Sequence, residues 1–347
     1  MKRLIKNLIF VLFIFIAILL ITLSTIGIET SKFNNLIKEK ISKEKNINLN
    51  LKTIKFKIDP KKLSLFLDTD NPNINYLDLS IPVQNLKVYV DVLSLIKSKP
   101  KINKINLSLE ELDVIELNNL SKLIKPSNFK SFLNNKIKNG KLISKIEIFL
   151  DEEGNFKDFI AKGTVRDFEA AFLDNLSLTK MKFSFFADKN DILVKSIFGN
   201  FEDVKIFDGD IKINLENGIR LNSNFNSSVK LNKDYLKKYE KFYNKNNLLS
   251  QLSSIDVALN NNFYIVFDET YKVTDYNYSL SGDLKKSEII LAKPIENEFI
   301  EEKINKIFFS NFKFQSIFTP DNIKFSGDGE YSFNNLDYLK VNFENNL

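Results

Sequence analysis

In the stretch Leu86-Lys87-Val88-Tyr89-Val90-Asp91-Val92, every second residue is aliphatic. Because successive side chains of a β-strand point to opposite faces, this alternation predicts a strand with one apolar and one polar face. The same period of two recurs along most of the chain, from Ile47-Asn48-Leu49 to Phe312-Lys313-Phe314. Turns rich in Asp, Asn and Pro separate these segments. The sequence therefore predicts a mainly β protein.

Nearly every predicted strand keeps a polar face, whereas a two-sheet sandwich of this size mixes alternating strands with continuously apolar ones. We therefore predict an elongated, curled antiparallel β-sheet whose apolar faces line an open groove, with helical insertions. At about 12 residues per strand and turn, the chain holds roughly 24 strands. An apolar groove open to water is a large exposed patch, which favours an apolar occupant such as acyl chains.

The candidate groove residues are apolar members of the alternating segments in the middle of the chain. They are Ile146, Ile148, Leu150, Phe183, Phe185, Ile211, Ile213, Leu215 and Phe225. Alternation describes any half-buried sheet, so packing into an ordinary core is the competing interpretation for each of them. The sequence leaves both interpretations open.

An apolar segment precedes the first predicted strand. Asn7 to Ile28 holds 22 residues without a charge, and as a helix it measures roughly 33 Å, enough for a bilayer core of roughly 30 Å. Lys2, Arg3 and Lys6 lie just before it and favour an N-terminus in the cytoplasm. A cleaved signal peptide has a shorter apolar region and a small-residue cleavage site, which this segment lacks. We predict an uncleaved single-pass anchor, with the rest of the chain outside the cytoplasm.

Three regions interrupt the alternation with apolar residues spaced by three and four, which is typical of helices. They are residues 117–138, residues 231–252 and residues 296–309. A short helix from Phe33 to Ile41 is also predicted, directly after the anchor. The predicted organisation is an anchor over residues 1–29, a helix and strands over 30–116, a helical insertion over 117–138, and a β-groove region over 139–347.

Three Gly-Asp steps recur within strand-like sequence. They are Gly209-Asp210, Gly282-Asp283 and Gly327-Asp328. Their unequal spacing does not fit a repeating solenoid unit, and we predict hairpins or bulges at these positions.

The composition excludes several kinds of chemistry. The chain has no His and no Cys, which excludes a Ser-His-Asp triad, a thiol nucleophile, an ordinary zinc site and any disulfide. Carboxylate pairs such as Asp208 and Asp210 lie in predicted turns or on exposed strand faces, where solvated carboxylates are the usual explanation. We therefore predict no catalytic residue, no metal, no cofactor and no enzymatic activity.

The charge does not indicate nucleic-acid binding. The formal net charge is +6, and the cations are almost all Lys, with only Arg3, Arg166 and Arg220 as exceptions. Lys and Glu alternate in segments such as Lys38-Glu39-Lys40, which is typical of a solvated surface. Because no RNA-binding sequence pattern accompanies these Lys residues, we predict no nucleic-acid partner.

The order of the segments resembles a known family. The anchor is followed by Phe33 to Ile41, then by Ile47 to Leu51, by Val88 to Ile96 and by Ile102 to Leu107. This order resembles the amino-terminal region of AsmA-like proteins. The middle of the chain is similar to the larger AsmA-related proteins YhdP and TamB, in the segments Asn139 to Leu142, Asp151 to Gly154, Gly163 to Val165 and Phe207 to Ile211. The resemblance covers roughly residues 1 to 230.

The resemblance implies an inner-membrane-anchored periplasmic protein with a β-groove. Such a protein acts in lipid transport to the outer membrane, or in the assembly and integrity of that membrane, without catalytic residues. The implied partners are membrane lipids, phospholipid or glycolipid, and envelope-assembly proteins. The alternative is a non-transporting structural scaffold that organises outer-membrane biogenesis partners, with the helical insertions as docking surfaces. The chain stops at Asn345-Asn346-Leu347 within strand-like sequence, which fits either a small member of the family or a truncated reading.

Overall fold

The structure is a computed structural model. It describes residues 2–30, 47–51, 53–60, 64–77, 79–91, 94, 101–122, 135–173, 176–216, 218–233, 251–268, 272–296, 298 and 301–346. Two helices have their bounds within these residues, α1 (Lys2–Thr25) and α2 (Val114–Ser121).

Strands account for most of the described residues. They are β1 (Ile28–Thr30), β2 (Ile47–Asn50), β3 (Ile54–Asp59), β4 (Ser64–Asp70), β5 (Asn73–Tyr76), β6 (Leu79–Ile81), β7 (Val83–Val90), β8 (Ile102–Leu109), β9 (Ile137–Leu150), β10 (Phe156–Leu173), β11 (Leu176–Asp188), β12 (Asp191–Phe201), β13 (Val204–Asn214), β14 (Ile219–Asn232), β15 (Leu252–Phe267), β16 (Val273–Ile295), β17 (Ile304–Phe318), β18 (Ile323–Phe333) and β19 (Leu339–Asn346).

Sixteen of these strands form one sheet in the order β1-β3-β4-β7-β8-β9-β10-β11-β12-β13-β14-β15-β16-β17-β18-β19. A second sheet has the order β2-β5-β6. Within the described residues, β1 and β19 each pair with one neighbour only, so the large sheet is open. The prediction of a mainly β fold with an open antiparallel sheet is confirmed.

The first helix is long and apolar enough to cross a membrane over Lys6–Thr25. It ends at Thr25, three residues before the predicted end of the apolar segment. The N–H groups of Ile26 and Gly27 both donate to the carbonyl oxygen of Thr22, at 3.0 and 2.9 Å. Gly27 has φ +79°, a left-handed conformation that favours glycine and terminates helices. The chain therefore passes from α1 into β1 within two residues.

The first unit comprises Met1–Asn135 and Lys141–Thr164. Its core lies between the small sheet and one side of β3, β4, β7 and β8. The buried members of this cluster are Leu49, Leu51, Ile54, Leu67, Leu86, Val88 and Val90. The alternation in residues 86–90 therefore reflects an ordinary packed core, because a second sheet covers the apolar side of β7.

The opposite side of these strands carries charged side chains that pair with one another. Lys57 Nζ lies 2.8 Å from Asp68 Oδ2, and Asn85 Nδ2 donates to Asp68 Oδ1 at 2.7 Å. Lys104 Nζ lies 3.2 Å from Glu147 Oε2. Burial opposes ionisation of Asp68, but the hydrogen bonds from Lys57 and Asn85, together with the positive charges of Lys57 and Lys87, outweigh burial and hold the pKa of Asp68 below its ordinary value. The strand side away from the core is therefore held together by ion pairs.

Replacing Asp68 with Asn is expected to lower the free energy of unfolding by about 1.5–2 kcal/mol at neutral pH, because Lys57 loses a charged partner. The folded-state pKa of Asp68 lies below its ordinary value of 3.8. The contribution of Asp68 to the free energy of unfolding is therefore fully present above pH 3.8, and it is lost as the pH falls through the folded-state pKa. Denaturant unfolding of the full chain in detergent should show the wild type and D68N converging in acid.

The control for this prediction is Asp275→Asn, because Asp275 is exposed on β16. Its effect should stay within about 0.5 kcal/mol at every pH. A difference between the wild type and D68N that did not change with pH would contradict the ionic explanation.

The second unit comprises Lys136–Gly140 and Val165–Leu347 and consists of long antiparallel strands. Strand β14 pairs with β15 without interruption from Ile219↔Phe267 to Asn232↔Ser254. Strand β16 alone has 23 residues. Because the strands are longer than predicted, the described residues contain 19 strands instead of roughly 24. One sheet is the only layer that the described part of this unit contains.

The helix predicted over residues 296–309 is wrong from Ile304 onward. Strand β17 begins there, and its residues pair with β16 and with β18. The spacing of Ile304, Ile307 and Phe308 fits a helix, but short apolar runs do not distinguish helix from strand. Pairing on both sides decides in favour of the strand.

The insertion predicted over residues 117–138 is helical only in part. Helix α2 begins earlier, at Val114, because Asp113 accepts a hydrogen bond from the Glu116 N–H and the Glu116 side chain accepts one from the Asp113 N–H. Residues 123–134 lie outside the described residues, and β9 begins at Ile137, before the predicted end of the insertion.

The remaining predicted helices lie largely outside the described residues. This holds for Phe33 to Ile41 and for residues 234–250 of the insertion predicted over 231–252. Leu231 and Leu252, the first and last residues of that insertion, belong to strands β14 and β15.

Candidate functional site: the apolar face of the second unit

The hydrogen-bonded register shows which side chains of the second unit share a side of the sheet. Residues paired across antiparallel strands point to the same side, and side chains alternate along each strand. Phe263 pairs with Ser223 on one side and with Tyr278 on the other. We define the apolar face as the side of β11–β19 that carries Phe263, and the polar face as the side that carries Tyr264.

Five of the predicted groove residues lie together on the apolar face. Phe185 pairs with Val194, and Val194 pairs with Ile211. The other three residues lie on the same side of β11, β13 and β14 and are Phe183, Ile213 and Phe225. All five are half-buried. The sheet therefore gathers residues that are up to 42 positions apart in the sequence.

The other four predicted groove residues lie elsewhere. Ile146 pairs with Leu107 and Ile148 pairs with Ile105, and both of these partners pack against the core of the first unit. Leu150 is the last residue of β9. Leu215 lies just beyond the end of β13 and is 39% exposed. Ordinary core packing therefore accounts for Ile146 and Ile148.

A row of aromatic rings crosses four strands of the apolar face. The ring centroids of Phe225 and Phe263 are 5.8 Å apart, and those of Phe263 and Tyr278 are 4.1 Å apart. The centroids of Tyr278 and Phe318 are 5.6 Å apart. The successive ring planes differ by 10°, 11° and 17°. Of these four residues, only Phe225 is among the predicted groove residues, because the rings are aligned only by the register of three strand pairs.

Buried polar side chains on the apolar face satisfy one another. Asn261 Nδ2 donates to Ser227 Oγ at 3.0 Å, and the Tyr278 hydroxyl donates to Asn261 Oδ1 at 3.1 Å. Burial raises the pKa of Tyr278, which keeps this donor protonated. Because these groups are paired, an apolar molecule on the face would leave none of them without a partner.

Glycines allow aromatic side chains to lie close against the apolar face. A Cβ atom on Gly282 would be 2.2 Å from Phe314 Cζ, and one on Gly329 would be 2.4 Å from Phe312 Cδ2. The prediction of hairpins or bulges at the Gly-Asp steps holds at Gly209, beside a register shift between β13 and β14, and at Asp328, beside a register shift between β17 and β18. Gly282 lies in regular pairing inside β16 because its missing side chain makes room for a ring.

Two concavities of the second unit lie on the polar face. Their volumes are about 680 and 560 Å³. The first contains a row of alternating charge, because Lys313 pairs with Asp283 on one side and with Asp328 on the other. Amide and hydroxyl side chains and a few apolar residues, among them Phe207 and Ala258, complete its lining.

The described residues contain no group of three or more His, Cys, Asp and Glu side chains arranged to hold a metal ion. The absence of enzymatic activity and of a cofactor stays a prediction from the sequence.

Comparison with protein-family models, with curated proteins and with solved structures gave no match to this chain. The resemblance to AsmA-like proteins therefore rests on the order of segments in the sequence.

Proposed function

We propose that this chain is an inner-membrane-anchored periplasmic protein of AsmA-like type. In this proposal it transports lipid to the outer membrane, or supports the assembly and integrity of that membrane, by holding acyl chains on the apolar face. The observation that carries the proposal is a half-exposed apolar face on the part of the sheet in the second unit, where the described residues contain no second layer. In water such a face favours an apolar partner.

The location rests on the first helix and on the charges before it. Helix α1 is long and apolar enough to span a membrane, and Lys2, Arg3 and Lys6 favour an N-terminus in the cytoplasm. In a Gram-negative envelope this orientation puts both units in the periplasm, between a membrane that supplies lipid and one that receives it.

The chemistry of the apolar face suits a moving acyl chain. Burial of each methylene contributes about 0.8 kcal/mol without a directional preference. The row from Phe225 to Phe318 offers nearly parallel ring planes to such a chain. Because the polar groups of Ser227, Asn261 and Tyr278 are already paired, they neither trap a headgroup nor penalise an apolar ligand.

A structural scaffold without lipid transport is the second candidate. Phe314 and Phe312 lie against Gly282 and Gly329 and occupy space on the apolar face that an acyl chain would need. Two concavities of about 680 and 560 Å³ lie on the polar face. These two observations favour a sheet that fills its own apolar face and organises protein partners.

Photocrosslinking separates the two candidates. We expect p-benzoylphenylalanine at position 263 to form lipid adducts in living Gram-negative cells, because Phe263 lies on the apolar face. Placing p-benzoylphenylalanine at position 264 instead is the matched control, since Tyr264 is an aromatic neighbour on the polar face. Mass spectrometry of the purified full chain should detect several-fold more lipid adduct at 263 than at 264.

Position 13 in α1 provides the positive control, because Phe13 is 69% exposed on a helix suited to a bilayer. Adducts at 13 with no lipid at 263, or equal labelling at 263 and 264, would contradict lipid binding on the apolar face. Protein adducts at 263 without lipid would support the scaffold.

A further inference from the structure

Strand β19 forms an edge of the large sheet. Its residues Leu339 to Asn346 pair with β18 on one side. Nothing in the described part of the chain pairs with its other side. An exposed edge of eight residues presents backbone N–H and C=O groups that another strand can pair with.

The sequence of β19 is self-complementary in one antiparallel register. Paired strands related by a two-fold axis through Asn342 place Lys340 opposite Glu344 of the second copy. The same register places Val341 opposite Phe343 of the second copy. Centring the axis on Val341 or Phe343 instead leaves Lys340 opposite an Asn side chain. Opposite charges directly across a strand pair stabilise it, so Asn342 is the favoured centre.

Both faces of the sheet are compatible with this pairing. Lys340 and Glu344 are exposed on the polar face, where their charges remain in water after pairing. Val341 and Phe343 lie on the apolar face, and the Phe343 ring already contacts Phe325 at a centroid distance of 4.9 Å. A second copy would extend the apolar face across the pair without a charged interruption.

We propose that two copies of this chain associate through β19, antiparallel and centred on Asn342. The pairing is isologous, because each copy contributes the same strand and the same two charged residues. It covers the free side of β19 in both copies, so association through this strand stops at the dimer.

Cysteine crosslinking tests the register directly, because the chain has no Cys of its own. In N342C the two introduced thiols face each other across the axis, at the Cα separation of about 4.5–5.5 Å that a disulfide accepts. We expect mild oxidation of the full-length protein in detergent to give a covalent dimer that a reductant reverses. In K340C the two thiols lie about four residues apart along the strands, roughly 13 Å, and we expect no crosslink.

Charge exchange tests the same pairing without a crosslink. The single variants K340E and E344K should each raise the dimer dissociation constant about tenfold, since both pairs across the axis become repulsive. The double variant K340E/E344K should return the dimer dissociation constant to the wild-type value. Equal crosslinking of N342C and K340C, a monomer at all concentrations, or no recovery in the double variant would each overturn the proposal.

Discussion

Substituting Ile54 with Ala is expected to lower the free energy of unfolding of the first unit by about 3–4 kcal/mol. Ile54 is 1% exposed and belongs to the cluster between the small sheet and the large one. Among Leu51, Ile54, Leu67 and their neighbours there is only about 10 Å³ of free space. Because this cluster is already closely packed, removing three carbon atoms leaves a cavity in addition to the lost burial.

The matched control is Ile58→Ala, on the same side of the same strand. Ile58 is only half-buried, so its truncation should cost about 1 kcal/mol. Hydrogen exchange of peptides from β3 and β4, together with denaturant unfolding, gives both values. If I54A were no more destabilising than I58A, the core would not lie between the two sheets as described.

Substituting Gly329 with Ala is expected to lower the free energy of unfolding of the second unit by about 2–3 kcal/mol. An added Cβ would lie 2.4 Å from Phe312 Cδ2 and 2.6 Å from Phe312 Cα. A ring can turn away, but a Cα atom moves only with its strand. Strands β17 and β18 must therefore separate locally, and amide exchange in β17, β18 and β19 should accelerate.

Gly282→Ala is the control for this effect. The nearest atoms there are Cζ and Cε1 of Phe314, at 2.2 and 2.3 Å, which form the far end of a side chain. Rotation of that ring relieves the contact, so we expect a loss below about 1 kcal/mol. Equal losses in G329A and G282A would mean that the backbone approach at Phe312 does not limit the strand pair.

Local alternation was sufficient to predict strands around the five groove candidates that share the apolar face. The strand positions of Phe183, Phe185, Ile211, Ile213 and Phe225 follow from this alternation, but their common face depends on the register between β11, β12, β13 and β14. Alternation could not separate them from Ile146 and Ile148, whose pattern is the same. That difference depends on the small sheet of the first unit, which pairs segments without any distinctive local signal.

The register between distant strands was not predictable from the sequence. The ring row requires Phe225, Phe263, Tyr278 and Phe318 to be aligned by three successive strand pairs. A shift of one residue in any pair would move the following rings to the polar face. The helix predicted across Ile304 failed for a related reason, because pairing with β16 and β18 overrides the local spacing of apolar residues.

The two-residue connection between α1 and β1 has a mechanical consequence. Ile28 pairs with Phe56 immediately after the helix, and an added Cβ on Gly27 would lie 2.7 Å from Lys57 Cγ. Because only Ile26 and Gly27 connect helix α1 to strand β1, the connection is rigid and does not act as a flexible linker. When the helix lies in a bilayer, any tilt that matches it to the bilayer thickness turns β1 and β3 through the same angle. The thickness of the bilayer around the helix would thus set the orientation of the first strands of the sheet.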